Sequence, residues 1–381
     1  MTWLFIEPAD VWLFRDGKPF DAGSDHRARS LFPPNPTTMQ GVIRSKLLMA
    51  SGVPLPAYAR KDPAAQAVAG QIGCPADRPP FALRGPFIAR GARDPNSGKV
   101  RQVAAYLPLP ADVVQISQQY HILQPLRDSP FRANWPQDGL LPLWLRTNQP
   151  IKEAAGWLAW DALVACLKGV SPTPDQVLKD ERLFVHESRF GVGIDSRMKR
   201  PEEGLLYQVE FARPRQEIGL LVEVDDSKLS AKIQFPADGL TSIGGESRGG
   251  RYEIVSFAPP ANPWPQPEND GKTRLRLYFS TPTWFAQGWQ AADWGNWLSG
   301  TNLRLVSAAV RRVQSIGGAR IDTESQRGNF QKAMYRYVPA GSVFFFEADG
   351  PITYTGTPVT DGPDDGQIGF GQVLAGKWDY A

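Results

Sequence analysis

The stretch "TRLRLYFSTPTWFAQGWQAADWGNWLSGTNLRLVSAAVRRVQSIGGA", Thr273–Ala319, decides the fold class. Its first ten residues, "TRLRLYFSTP", read as a strand. The Trp-rich run "WFAQGWQAADWGNWL" reads as a helix, and "LRLVSAAVRRVQSIGGA" returns to strand. Upstream, "EIGLLVEVD" is a strand, and downstream "AMYRYVPAGSVFFFEA" holds another. Strands interleaved with few helices, and no regular βαβ period, predict an α+β protein with helices on one face of its sheets. No repeat recurs at a solenoid period.

Working outward, "TWLFIEPADVWLFRD" is a strand broken by Pro8, followed by the Gly/Pro/Asp-dense loop "GKPFDAGSDHRARSLFPPNP". "TTMQGVIRSKLLMASG" is a helix capped by Thr37 or Thr38, apolar at Met39, Val42, Ile43 and Leu47, and ended by Gly52. Residues 53–80 are a Pro/Ala-rich connection, and 121–150 carry five prolines and read as an irregular insertion. "FALRGPFIARG" and "VRQVAAYLPLPADVVQI" are strands around the turn "DPNSGK"; "KEAAGWLAWDALVACLKG" is a second amphipathic helix. "RLFVHESRFGVGIDSRMKRPEEGLLYQVEFARP" is a long hairpin with a basic tip, its arm at about 192–206. A shift in composition at Arg213–Arg215 places a boundary between residues 1–215 and 216–381.

Composition narrows the classes of function. The 381 residues are 42% hydrophobic and 21% charged, which excludes a chain disordered throughout. Gly and Pro number 36 and 35, an excess that predicts long loops rather than a helical bundle. The net charge of +3 is too small to indicate nucleic acid. Its distribution is uneven: residues 301–340 hold seven Lys/Arg against two acids, and 341–381 hold one Lys against six acids. Two solvated surfaces satisfy this pattern, as does one anion-binding face opposite one that docks a basic partner. Cys74 and Cys166 lack CxxC spacing, so neither a disulfide framework nor a thiolate metal site is expected. The opening "MTWLFIEPAD" has no basic n-region, and no apolar run is long enough to span a bilayer. A cytoplasmic protein with no membrane association, no metal and no cofactor is the expectation.

Several stretches could carry chemistry. "SIGGESRGG", within a loop at 242–251, places Gly244, Gly245, Gly249 and Gly250 beside Ser247, Arg248 and Arg251. Successive amides of such a loop can converge on an anion, with the guanidinium groups adding charge-assisted bonds. The spacing matches neither a P-loop nor GxGxxG, and a flexible hairpin tip uses the same residues. Arg197, Met198, Lys199 and Arg200 crowd the long hairpin's tip, where a basic arm with an apolar point can follow a backbone and wedge between bases. Glu202 and Glu203 partly offset that charge, as in a solvated loop. At the helix start "PTTMQGVIRSK", Thr38 and free amides can hold an anion, Gly41 admits close approach, and Arg44 lies one turn on. His26, beside Asp21 and Asp25, is a candidate general acid or base for metal-free RNA cleavage, and loop hydrogen bonding explains it as well. The tryptophans at 284, 289, 294 and 297 suit a core face or a partner surface better than base stacking.

Taken in order, these segments resemble the third-subunit family of the type III-B CRISPR Cmr effector complex, within the RAMP superfamily of RNA-binding proteins. "EPADVWLFRDGKPFDAG…SLFPPNPTTMQGVIRS" is similar to that family's opening strand, loop and first helix, and "GPF" at Gly85 and "YLPLPADVV" at Tyr106 to its middle strands. "VGIDSRMKRPEEGLLYQVEF" resembles its thumb hairpin, "SIGGESRGG" its glycine-rich loop, "VPAGSVFFFE" its late strand and "GFGQVLAGKWD" its C-terminal end. The resemblance implies two ferredoxin-like (RRM-like) domains with loop and helical insertions. It implies a non-catalytic subunit that holds the 5′ repeat-derived tag of the guide RNA beside the large polymerase-like subunit and the backbone subunits. Target RNA is met only indirectly, and no catalytic residue carries over. On this view Arg15, Arg27, Arg29 and Arg44 line the RNA path, with Thr38 and Gly41 beside it. The enzymatic alternative is a RAMP endoribonuclease of repeat RNA using His26.

Overall fold

The computed structural model describes residues 1–16, 27–74, 80–128, 130, 133–194, 198–227, 229–230, 233–246, 248–319 and 331–381, with the backbone alone at 27, 201–205, 319 and 331–332. His26, Asp21, Asp25, Arg197, Ser247 and the side chain of Arg27 therefore lie outside the described residues. The chain is mixed and rich in strands, with few helices. The strands used below are, in chain order, β1 (Thr2–Pro8), β2 (Leu83–Arg93), β3 (Val100–Pro108), β4 (Trp157–Ala159), β5 (Phe184–Ile194), β6 (Pro201–Pro214), β7 (Ile218–Val224), β8 (Asp238–Ser242), β9 (Gly249–Val255), β10 (Lys272–Phe279), β11 (Leu298–Ala309), β12 (Val343–Tyr354) and β13 (Val373–Lys377). The helices used below are α1 (Pro36–Ser51), α2 (Leu55–Ala59), α3 (Gln66–Ile72) and α4 (Trp160–Leu167). α2 and α3 give structure to the Pro/Ala-rich connection.

Two compact units interleave along the chain: residues 1–103, 180–257 and 315–335 form one, and 104–179, 258–314 and 336–381 the other. Neither corresponds to a continuous 1–215 or 216–381. In the first unit β2-β7-β1-β9-β8 form an antiparallel sheet. Leu4 and Ile6 of β1 point to one face and pack with Met39, Val42, Ile43 and Leu47 of α1 and Ile72 of α3 in a buried cluster. That spacing is the 2-residue period of a strand meeting the 3.6-residue period of a helix. The N-cap of α1 is Asn35, not Thr37 or Thr38: Pro36 takes the first turn, where its missing N–H costs nothing, and Gly52 closes the helix at φ 73°. β5 and β6 form the expected long hairpin.

In the second unit β11-β12-β10-β13 form an antiparallel sheet over a core of Leu275, Leu277, Phe279, Phe344 and Phe346. Numbered by chain order, four strands of each unit lie as 2-3-1-4: β2-β7-β1-β9 in the first and β11-β12-β10-β13 in the second. Of two expected helices here, one is shortened and one does not form. The stretch 152–169 is helical only from Trp160, because Trp157 pairs with Leu178 and β4 with β3, while Gly156 takes φ 149° with Leu178 O 2.7 Å from where a Cβ would stand. The Trp-rich run keeps one short 3-10 turn, Trp294–Asn296. Asp361 accepts from the amides of Ala286 and Ala292, and Asp293 from Gly295, so side chains take the N–H groups a helix needs. Trp294 instead packs edge-on to Phe346, and Trp297 is buried.

The second unit also buries an ion pair, Arg276 Nη2 to Asp112 Oδ1 at 2.6 Å, with Arg276 Nη1 donating to Cys166 O at 2.7 Å. Both side chains are almost wholly excluded from solvent. Removing one partner strands the other's charge in a medium that cannot solvate it. Asp112→Ala is expected to cost about 3–5 kcal/mol in urea unfolding, and Asp112→Leu combined with Arg276→Met to recover most of it.

Candidate nucleic-acid interface

In the first unit a cleft of about 420 Å³ opens between α1 and the glycine loop. Thr38, Gly41, Val42, Ser45 and Met49 line one wall, and Thr38, Gly41, Ser45 and Met49 recur every three to four residues along one helical face. Ser242, Gly244 and Gly245 line the other, and Leu13, Phe14 and Arg15 form the floor. The cleft thus gathers Arg15, Thr38, Gly41, Gly244 and Gly245 from three separate segments. Ser45 and Met49 were missed; their place in the Thr38–Gly41 helical stripe was the available signal.

The loop's glycines act mainly through close packing. The Gly245 amide donates to Leu13 O at 2.8 Å, and Ile243 N–H to Arg248 O at 2.8 Å. Gly244 adopts φ 80°, and a Cβ there would stand 2.5 Å from Leu13 O. Only a residue without Cβ lets the loop lie down on the Leu13–Phe14 backbone. Gly249 and Gly250 sit in the β8–β9 ladder opposite Ser242 and Thr241, and Gly249 O accepts from Ala9 N and Trp12 Nε1. Of the four glycines, Gly245 thus has its amide engaged within the protein and Gly249 its carbonyl. Gly41 differs: an added Cβ would meet nothing within 4 Å, so no packing demand of the fold explains it.

The basic residues divide. Arg15 and Arg29 are exposed on consecutive segments joined by the Asp16 N–H to Arg29 O bond. Met198, Lys199 and Arg200 are exposed at the hairpin end, Met198 at 61%. Arg44 turns away from the cleft and donates to Cys74 O at 3.0 Å. Arg248 is half-buried, paired with Glu246 at 3.0 Å and laid over the Phe211 ring at 4.6 Å. Arg251 stands 3.8 Å from Glu253, in the cluster where Arg93 bridges Glu253 and Glu7. Burial pushes the Glu253 carboxyl up, but the bonds from Arg93 and the Val100 amide outweigh it and leave it below the usual carboxylate range. At the hairpin's base, Asp10 and Glu187 together bind Arg189 and Arg213, fixing the arm's departure from the sheet. Among the described residues no group of three or more His, Cys, Asp or Glu is placed to hold a metal.

With this geometry in hand, the family follows from comparison. The model of the family described as CRISPR-associated protein (Cas_Cmr3) matches residues 4–378. The chain belongs to that family. The resemblance read from the sequence is thereby borne out across nearly its full length. No curated protein sequence matches the chain. Among solved structures, it is similar to a chain of the type III-B Cmr-beta complex bound to cognate target RNA, at 15% identity and TM-score 0.47, covering 90% of this chain and 86% of that one. A second Cmr-beta structure, bound to cognate target RNA and AMPPnP, gives 14% and 0.45 over the same shares. The Csm3–Csm4 subcomplex of the type III-A interference complex gives 11% and 0.37, covering 98% and 99%.

Gly41 and Gly244 should separate in stability. Gly41→Ala, in an open helical position, is expected to stabilise the protein by about 1 kcal/mol, because alanine loses less backbone entropy. Gly244→Ala is expected to destabilise it by at least about 1 kcal/mol through positive φ and the Leu13 carbonyl clash. Paired thermal melts check both signs.

Proposed function

We propose that this chain is a non-catalytic, guide-RNA-binding subunit of a cytoplasmic type III-B CRISPR effector complex. It holds the 5′ repeat-derived tag next to a large polymerase-like subunit and the backbone subunits, and meets target RNA only indirectly. The single observation that carries the RNA-binding part is the cleft between α1 and the glycine loop. It brings the exposed residue Arg15 together with Thr38, Ser45 and Ser242 and with Gly41, whose backbone has nothing beside it within 4 Å of a Cβ position. Single-stranded RNA needs that combination: a cation and hydroxyl donors for phosphate and sugar, and an apolar surface for a base, here the exposed Met49. Family membership supports the CRISPR assignment. The shared 2-3-1-4 strand order supports reading each unit as ferredoxin-like.

The roles of the arginines differ in this reading. Arg15 and Arg29 lead along the RNA path, and Met198, Lys199 and Arg200 act from the hairpin end. Arg44 supports the fold behind the cleft, while Arg248 stiffens the loop against Phe211.

A salt titration of tag-RNA binding by fluorescence anisotropy tests the proposal. Arg15→Glu is expected to weaken binding about tenfold and to reduce the slope of log K against log salt by about 0.7 or more. Gly41→Gln, filling the cleft without touching the core, is expected to weaken binding at every salt concentration. Arg44→Gln should lower stability and leave the slope unchanged. Wild-type affinity and slope in both Arg15→Glu and Gly41→Gln would overturn the assignment of the cleft.

A further inference from the structure

The basic stretch at 301–340 has no part in the RNA-binding proposal above. Its seven cations divide. Arg304 donates to Glu347 at 2.8 Å, and Arg311 to Ala154 O at 2.7 Å and Glu153 at 3.3 Å. The side chains of Arg320, Arg327 and Lys332 lie outside the described residues. Arg312 and Arg336 stand exposed. They belong to a two-stranded ribbon in which Gln314–Ala319 lies hydrogen-bonded beside Gln331–Tyr337. Arg312 precedes its first strand, and Arg336 lies in its second.

Chain order gives this ribbon a counterpart. In each 2-3-1-4 set of strands, the connection from the second strand to the third carries an arm. Between β2 and β7 the arm is the β5–β6 hairpin; between β11 and β12 it is the ribbon. Both arms start from a fixed base. Asp10 and Glu187 hold Arg189 and Arg213 under the hairpin. Under the ribbon, the Val338 N–H donates to Thr283 O at 2.8 Å, and the Thr283 N–H to Val338 O at 2.9 Å. Tyr337 is buried, its ring 4.9 Å from Phe370 and its hydroxyl donating to Asp365 at 2.9 Å. Beyond these bases the arms expose the same kinds of side chain. The hairpin offers Phe190, Ile194, Met198, Lys199 and Arg200, and the ribbon Arg312, Val313, Met334, Tyr335 and Arg336.

Neither 310–319 nor 331–338 contains Asp or Glu, so no carboxylate on the ribbon offsets Arg312 and Arg336. Two strands alone have no core in which to bury Val313, Met334 and Tyr335. Cations beside an exposed ring and a thioether suit single-stranded RNA: guanidinium groups bond phosphate oxygens, and the ring or thioether supports an unstacked base. Strand alternation puts Met334 and Arg336 on one face of the ribbon and Tyr335 on the other. A flexible polyanion can wrap both faces, whereas a flat acidic protein surface covers one.

We propose that this ribbon is a second RNA-contacting arm, with Arg312 and Arg336 on phosphates and Met334 and Tyr335 against bases. The inference rests on reading the chain as an RNA-binding subunit and adds a site that the cleft does not supply. Guide RNA and any other single strand present the same phosphates and unstacked bases, so the test separates them.

The full chain is titrated by fluorescence anisotropy, over a range of salt, with two labelled RNAs of equal length: the tag sequence and an unrelated single strand. Arg312→Glu/Arg336→Glu is expected to weaken binding about tenfold and to lower the slope of log K against log salt by about 1.4, the value for two phosphates. The neutral Arg312→Gln/Arg336→Gln should lower the slope equally. Tyr335→Ala is expected to weaken binding about fivefold with the slope unchanged, and Tyr335→Phe to keep wild-type affinity. Melting temperatures should stay at the wild-type value throughout. Losses confined to the tag probe assign the ribbon to guide RNA, and losses with both probes assign it to single-stranded RNA in general. Wild-type affinity and slope for both RNAs in the two arginine double variants would overturn the proposal. So would a glutamate-rich peptide that binds the wild type and not these variants while RNA binding stays intact, which would assign the ribbon to a protein partner. Arg15→Glu is titrated alongside. A wild-type slope there with a lowered slope in the ribbon variants contradicts the cleft and keeps the ribbon; the reverse contradicts the ribbon alone.

Discussion

One backbone contact governs the first unit's surface: the Gly245 amide on the Leu13 carbonyl, made possible by Gly244 at φ 80°. An L side chain at Gly244 would strike that carbonyl, so the loop would have to lift and the cleft beside α1 would change shape. The same Leu13–Phe14 segment is held from the far side by the Trp12–Ala212 pair and by Ser30 Oγ on the Phe14 amide. Strand end, hairpin base and glycine loop are therefore one hydrogen-bonded assembly, and α1 faces it as a rigid wall.

Charge is distributed by the same logic. Arginines near the sheet are spent on the protein: Arg93 on Glu7 and Glu253, Arg189 and Arg213 on Asp10 and Glu187, Arg248 on Glu246 and Phe211. Arg15, Arg29, Lys199 and Arg200 stand at the surface. A modest net charge of +3 thus conceals basic residues in quite different surroundings.

Much of this was legible in the sequence because it is local. β1, the ends of α1 near Pro36 and Gly52, the β5–β6 hairpin and the "DPNSGK" turn, where Asp94 caps Asn96 and Ser97, all follow from short-range pattern. What could not be read depends on distant partners. The Trp-rich segment looks helical until Asp361, some seventy residues on, takes its amides. The stretch before Trp160 looks helical until Leu178 pairs with Trp157. Arg44 and Arg248 read as phosphate ligands because nothing local reveals Cys74 O or the Phe211 ring as their partners. Likewise Ser45 and Met49 gain meaning only once the glycine loop is set opposite α1.

The central claim is that RNA lies in the cleft between α1 and the glycine loop. Its most direct test is ultraviolet crosslinking of 4-thiouridine-substituted tag RNA to the full chain, with adducts mapped by mass spectrometry. Adducts on the peptides containing Arg15, Thr38–Met49 and Ser242–Gly245 are the predicted result. Adducts confined to other surfaces, with these three peptides recovered unmodified, would contradict it.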